Sequence, residues 1–209
     1  MKLAIAYCYR GSVLECFMTS MLQCVAVASD LNLSQVIGIE TLYLPEGRNA
    51  AVKSFMQSDC DVMLFVDTDI TFTPDDVKRM IGLHATHCGA VLSGCYLQYV
   101  SHDGETAPHW YTETEPPPME RLSPARCLSI LNDGEIVPIK GAGMGFTLLP
   151  RTILADERWE GQWFGGKGRE VSDGGFSGED IFFCRRAIDL GYSILSVPVR
   201  VGHTKSRVL

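Results

Sequence analysis

Residues Val62–Phe72 read VMLFVDTDITF: five apolar residues, then Asp67-Thr68-Asp69, then Ile70-Thr71-Phe72. A short, fully apolar run of this kind is how a strand buried on both faces of a sheet reads. The two carboxylates that end it raise a problem. Unpaired, they repel each other, and one would protonate. On a continuing strand, residues i and i+2 share a face, so a divalent cation between them removes the penalty. Oxygen ligands of this type suit Mn²⁺ or Mg²⁺. The plainer alternative is a solvated surface turn, where D-x-D triplets are common.

The flanking sequence places the pair. Upstream, residues 3–8 (LAIAYC) read as a buried strand. Residues 12–29 carry Val13, Leu14, Phe17, Met21, Cys24, Val25 and Ala28 at helical spacing. Residues 36–43 predict a second strand, and 49–58 put Ala51, Val52, Phe55 and Met56 on one helical face. Downstream, Thr73-Pro74-Asp75-Asp76 is a helix start with a Thr cap, Pro at the first position and acids in the first turn. That helix should run to about Leu83, and Ala90–Leu97 is the next strand. The order β-α-β-α-β-α-β implies a parallel sheet with right-handed crossovers. Ligands of such sheets bind beyond the carboxyl ends of the strands, which is where Asp67 and Asp69 fall.

The second half is less regular. Residues 101–126 are polar and contain Pro116-Pro117-Pro118, so they read as a long surface loop or flap. Asn132-Asp133-Gly134 predicts a hairpin within 127–139. Gly141-Ala-Gly-Met-Gly145 leads into a strand at Phe146–Leu149, and a short helix follows Pro150. Residues 157–176 read as a Gly- and Trp-containing loop. Glu179–Leu190 is helical with Gly191 as its C-cap, and Tyr192–Val199 is a last strand ending near His203.

The chain has 209 residues, 46% hydrophobic and 21% charged, an ordinary composition for one globular domain. No apolar run approaches the roughly 18–20 residues that span a bilayer, and MKLAIAYCYR is a better first strand than a signal peptide. The eight cysteines form no CxxC pair. They read as reduced core residues of a cytoplasmic protein, not as a disulfide framework or a structural zinc site. Net charge is −7, with 8 Lys/Arg against 17 Asp/Glu in residues 1–139 and 10 against 8 thereafter. An acidic half carrying the Asp pair faces a mildly basic tail with Arg200, Lys205 and Arg207 around His203. Overall acidity argues against non-specific nucleic-acid binding.

Two further segments carry chemistry. Ser177-Gly178-Glu179-Asp180 opens a helix, where acids offset the dipole. A carboxylate held there can also take a proton from a hydroxyl. The helix N-terminus should keep Asp180 ionised while weakening it as a base. His203, between Gly202 and Lys205, reads either as structural or as a Mn²⁺ ligand on a flexible segment.

Together, LFVDTDI after a βαβα start, GRNAA twenty residues before it, GAGMGFTLLPR, GEDIFFCRRAIDLGY and VGHTK resemble a small GT-A-fold glycosyltransferase. The likeness is to the family-2-like inverting group, including short phage- and virus-encoded members. It spans roughly residues 3–205. It implies a single-domain GT-A, Rossmann-like α/β fold over 1–209, with a mostly parallel central sheet and a small antiparallel hairpin region. Residues 1–100 would be the nucleotide-sugar-binding half. Residues 101–209 would bind the acceptor and carry a C-terminal metal and diphosphate flap. Asp67, Asp69 and His203 would hold Mn²⁺ or Mg²⁺, with Asp69 the closer ligand. Asp180 would be the general base, with Glu179 beside it. Tyr7, Arg10, Arg48, Asn49 and Thr68 would line the nucleotide-sugar pocket, Gly143 would let backbone approach the sugar or acceptor, and Lys205 would pair with the diphosphate. Trp163 and Gly175 are candidate acceptor contacts; the Trp159/Trp163 loop reads equally as a stacking surface or a hydrophobic plug. The partner would be a nucleotide diphosphate-sugar donor. The acceptor stays open among a modified DNA base, a glycan, a lipid and a protein, and must be recognised by loops 101–126 and 157–176. A phage-encoded member would work in the host cytoplasm.

Two rivals remain at this level. A nucleotidyltransferase would want a Gly-rich phosphate loop with a Lys after the first strand, where this chain has YCYRGS. A non-catalytic nucleotide-sugar-binding module would keep the Asp pair without turnover.

Overall fold

The computed structural model describes residues 1–99, 106–113, 120–165 and 178–204. Its central sheet has seven strands: β1 (Leu3–Tyr9), β2 (Leu33–Glu40), β3 (Val62–Val66), β4 (Ala90–Cys95), β5 (Val137–Ile139), β6 (Phe146–Pro150) and β7 (Ser193–Arg200). They lie in the order β5-β7-β4-β6-β3-β1-β2. β1 pairs parallel with β2 and β3, and β7 parallel with β4. β6 is antiparallel to both its neighbours and lies between β3 and β4; β5 adds an antiparallel edge. The wedge of β6 is the feature the linear order did not announce. Its register, Phe146 opposite Val66 and Pro150 opposite Val62, brings the glycine segment before it alongside the end of β3.

The apolar strand is buried on both faces, as its composition required. Val62, Leu64 and Val66 face a core with Phe17, Met21, Val77 and Met80. These come from helices α1 (Glu15–Ala26) and α3 (Pro74–Thr86). Met63 and Phe65 face the opposite core with Ala51, Val52, Phe55, Phe183 and Cys184. Those belong to α2 (Leu44–Gln57) and α5 (Glu179–Asp189). Period-2 alternation on one strand thus serves two helical layers. The α3 start is the expected capping box: Thr73 Oγ1 accepts from the Asp76 N–H at 3.2 Å, and Asp76 Oδ2 accepts from the Thr73 N–H at 2.9 Å.

Two expectations fail. The 127–139 hairpin is instead helix α4 (Pro124–Asp133) followed by β5. Ser123 caps its start, Cys127 and Ile130 bury one face, and Gly134 (φ +71°) ends it, so the Asn-Asp-Gly signal is a helix C-terminus. The 101–126 flap carries structure where it is described. Thr106–Pro108 pairs with Leu97–Tyr99, and Trp110–Glu113 pairs with Gly141–Ala142 and Glu120–Arg121. Trp110 is the anchor: it is buried, and its indole N–H donates to Ser93 Oγ at 3.1 Å. Among the described residues no helix is long and apolar enough to cross a membrane.

Candidate active site

β3 ends at Val66, and Asp67-Thr68-Asp69 turn sharply, closed by a 3.0 Å hydrogen bond from the Ile70 N–H to the Asp67 carbonyl. The two acids are therefore not aligned by strand alternation, as the sequence had suggested. Asp67 is tied to the glycine segment, its N–H donating to the Gly145 carbonyl at 3.0 Å. Ile70–Thr71 forms a two-residue ribbon with Gly202–His203, His203 opposite Ile70. The Thr204 N–H donates to the Asp69 carbonyl at 2.7 Å. So His203 is fixed by backbone pairing, and its Nε2 lies 3.1 Å from Asp69 Oδ2. That hydrogen bond is the main reason its pKa is raised. Gly202 is required here: a Cβ would come within 2.1 Å of Thr71 Oγ1.

Asp67 faces inward to a different cation. Arg48, in the first turns of α2, is 2% exposed, with its guanidinium carbon 5.4 Å from the Phe65 ring and 5.8 Å from that of Phe164. Its Nη2 donates to Asp67 Oδ1 at 3.0 Å, and its Nε lies 3.3 Å from Glu179 Oε1. Burial alone would lower the Arg48 pKa; Asp67, Glu179 and Asp180 more than reverse this, and it is raised. Burial raises Asp67 and Glu179 above the usual carboxylate range, against the pull of Arg48. The Asp67 side chain keeps 37% of its surface accessible, so water moderates the effect there. Cys8, whose thiol burial pushes up to about 11, also feels the fields of Arg48, Asp67 and Glu179.

Asp180 begins α5 beside Glu179. Its Oδ1 accepts the Ile181 N–H at 2.7 Å, and its Oδ2 lies 3.6 Å from His109 Nε2. Its pKa is raised, burial first, with Arg48 and the Ile181 N–H opposing. The expected weakening by the helix start is thus outweighed, and Asp180 is a stronger base than an exposed aspartate. His109 Nδ1 is 2.9 Å from Tyr96 Oη. Neither His109 nor Tyr96 was legible as a site residue. The one signal was an apolar Trp110-Tyr111 inside a polar stretch.

The remaining candidates divide. Gly143 lies under the Tyr96–His109 pair: a Cβ there would meet His109 Nδ1 and Tyr96 Oη at 2.1 Å, so the absent side chain is explained inside the fold. Asn49 points away from the acids. Its Nδ2 donates to the Phe164 carbonyl at 2.7 Å, and its Oδ1 accepts from the N–H groups of Trp163 and Phe164. Its amide is thereby engaged with that loop. Trp163 is 7% exposed and donates its indole N–H to the Leu154 carbonyl at 2.9 Å. Trp159 is fully buried and stacked on Phe183 at 5.1 Å. Both indoles are buried in the fold, as the plug reading expects. Tyr7 is half-buried at the end of β1 against Phe17, and Arg10 is exposed just beyond. Thr68 sits half-buried in the acidic turn. Gly175 and Lys205 lie outside the described residues.

Among the described residues no group of three His, Cys, Asp or Glu side chains converges in metal-holding geometry. Asp69 and His203 do fit as a pair. An O···N separation of 3.1 Å is what neighbouring ligands of one cation show when each bond is about 2.0–2.2 Å. Mg²⁺-type sites use one or two carboxylates and take their remaining ligands from substrate phosphates and water.

No protein-family model matches the chain, and no curated protein matches it in sequence. Solved structures do match in fold. A197 from STIV aligns with a TM-score of 0.56 at 14% identity over 100% of this chain and 97% of its own. GalNAc-T7 with UDP, GalNAc and Mn²⁺ aligns with a TM-score of 0.63 at 10% identity over 99% of this chain. This chain spans 44% of the GalNAc-T7 chain. The architecture is accordingly a GT-A, Rossmann-like α/β fold: a mostly parallel seven-stranded sheet with small antiparallel sheets beside it.

Proposed function

We propose that this protein is a metal-dependent glycosyltransferase that moves a sugar from a nucleotide diphosphate-sugar to an acceptor hydroxyl, with inversion at the anomeric carbon. The observation that carries the proposal is convergence. Asp67–Asp69, Glu179–Asp180 and His203 are far apart in sequence, yet they gather at one rim of a GT-A-like sheet, around buried Arg48. A solved neighbour of the same fold holds UDP, GalNAc and Mn²⁺.

In this reading Asp69 and His203, with Asp67 alongside, would hold Mn²⁺ or Mg²⁺, which supplies charge neutralisation for the departing diphosphate. Lys205 would add a second cation there. Thr68, Tyr7 and Arg10 would border the nucleotide. Asp180 takes the proton of the acceptor hydroxyl as its oxygen bonds to the anomeric carbon from the face opposite the breaking bond to the diphosphate. Its raised pKa suits that task. The inward Arg48 acts on the nucleotide only through Asp67, which it orients.

The test is incubation with a panel of UDP-, GDP- and dTDP-sugars with Mn²⁺ and no added acceptor, reading slow release of the nucleotide diphosphate. Asp180→Asn should keep nucleotide binding and lose turnover about 10²–10⁴-fold; Asp69→Ala should lose both. Binding without turnover in the wild type would make the chain a nucleotide-sugar-binding module. Full activity in Asp180→Asn would remove the base assignment.

A further inference from the structure

Every oxygen of Asp180 is accounted for. Oδ1 accepts the Ile181 N–H at 2.7 Å, and Oδ2 faces His109 Nε2 at 3.6 Å. His109 Nδ1 lies 2.9 Å from Tyr96 Oη, which itself receives the Gly145 N–H at 3.2 Å. The proton positions follow. The Gly145 N–H can only donate, so the tyrosine oxygen accepts there, which leaves its own O–H available to Nδ1. A phenol keeps its own proton at neutral pH. Nδ1 is then the acceptor nitrogen, and the single proton of a neutral imidazole sits on Nε2, facing the carboxylate.

His109 is kept neutral. Its pKa falls to about 4, from burial first and then from Arg121; Arg48 and His203 push the same way and Asp67 opposes. Asp180 and the edge of the Tyr111 ring complete its surroundings. A neutral donor aims a carboxylate without cancelling the charge a base needs.

The fold makes room for the pair. A Cβ at Gly143 would overlap both His109 and Tyr96, and one at Gly145 would come within 2.8 Å of the Tyr96 ring. Two glycines of the GAGMG segment are thereby explained by the hydrogen-bonded Tyr96–His109 pair that faces Asp180.

We propose that Tyr96 and His109 are positioning residues for Asp180: Tyr96 fixes the imidazole tautomer, and the Nε2–H of His109 orients the carboxylate toward the acceptor hydroxyl. The inference rests on the reading of Asp180 as the base. At 3.6 Å the final link is longer than a hydrogen bond, as catalytic contacts often are in the absence of substrate.

The experiment has two arms. In ¹⁵N-histidine-labelled wild type near neutral pH, the His109 imidazole is expected as the Nε2–H tautomer, and Tyr96→Phe is expected to shift it toward a mixture. In Mn²⁺-dependent hydrolysis of whichever panel nucleotide-sugar turns over fastest, Tyr96→Phe and His109→Ala should lower kcat about 10- to 100-fold. KM should stay within about twofold, because positioning acts on the transition state. His109→Gln keeps an N–H near the Nε2 position and should recover to within about fivefold of wild type. An Nδ1–H or doubly protonated wild-type ring overturns the relay even where sugar transfer is seen. So does a glutamine variant as impaired as the alanine one. The Nε2–H tautomer with no turnover of any nucleotide-sugar leaves the relay standing and fails the sugar-transfer reading instead.

Discussion

Replacing Arg48 with methionine measures how far the acid cluster depends on one cation. Methionine keeps an unbranched apolar stem between Phe65 and Phe164 and removes the charge that pairs with Asp67 and Glu179. Breaking a buried ion pair on one side costs about 3–5 kcal/mol, because the partner stays buried and uncompensated. The two partners do not suffer equally. Asp67 has 37% of its side-chain surface accessible and can rehydrate; Glu179 has 16% and cannot do so well. The expected loss is therefore near the lower end, about 3 kcal/mol. For 209 residues, at about 2.1 cal/mol/K of unfolding entropy per residue, that lowers Tm by about 7 °C. The pH dependence has a definite sign. Both carboxylates already have folded pKa values above their unfolded ones, burial first, with Arg48 holding them down. Removing Arg48 raises them further. A carboxylate with a raised folded pKa binds its proton more tightly in the folded state, so its contribution to stability is lost as pH rises from the ordinary carboxylate range through the folded value. Urea unfolding at about pH 5 and about pH 8 should show the deficit growing toward the higher pH. Adding Glu179→Gln should return most of it. A deficit below about 1 kcal/mol, or one equal at both pH values, would refute the reasoning that this guanidinium holds the cluster together.

Two further substitutions probe the supports of the site. Gly202→Ala drives a methyl into Thr71 Oγ1, 2.1 Å away, and should pry the ribbon that holds His203 beside Asp69. The Mn²⁺-dependent part of nucleotide stabilisation in a thermal-shift titration should weaken by about tenfold, and Thr71→Ala should restore it in the double variant. Arg151 lies at the end of α2, its Nε donating to the Cys60 carbonyl at 2.6 Å and its Nη2 to those of Phe55 and Ser58 at 2.9 Å. Its guanidinium also lies over the Phe55 ring at 4.6 Å. Arg151→Met should cost about 2–4 kcal/mol by urea unfolding, since several terminal carbonyls lose a charged donor at once; Lys, with one nitrogen, should recover less than half.

What the sequence disclosed follows from what is local. The strand at Val62–Val66, the Thr73 cap and the rim position of the acids depend on burial pattern and short-range hydrogen bonds, and each was readable from its own neighbours. The Asn-Asp-Gly error was also local in origin: the same tripeptide ends a helix or turns a hairpin, and the choice was made by Cys127 and Ile130 packing on the core. What was hidden depends on pairing across the chain. Nothing in FTLLP announces that it inserts antiparallel between two parallel strands. Yet that insertion sets Gly145 against Asp67. His109, which faces Asp180, arrives from a stretch whose polarity suggested only a loop, and Tyr96 behind it from the end of an expected strand. Asn49 was grouped with Arg48 by its neighbourhood in sequence, yet its amide pairs with a loop 114 positions away.

The two acids at Asp67 and Asp69 pose the electrostatic question that began with the sequence, and the fold answers it without an ion. Asp67 turns inward to Arg48, and Asp69 turns to His203 across a backbone ribbon. Each acid thus has its own partner on a different element, Arg48 for Asp67 and His203 for Asp69, so the dyad by itself is no proof of a metal. The case for one rests on a narrower observation. The Asp69–His203 separation of 3.1 Å is compatible with two ligands of one cation. Asp67 is held from within by Arg48 at 3.0 Å, so of the two acids it is the one whose position the fold itself constrains.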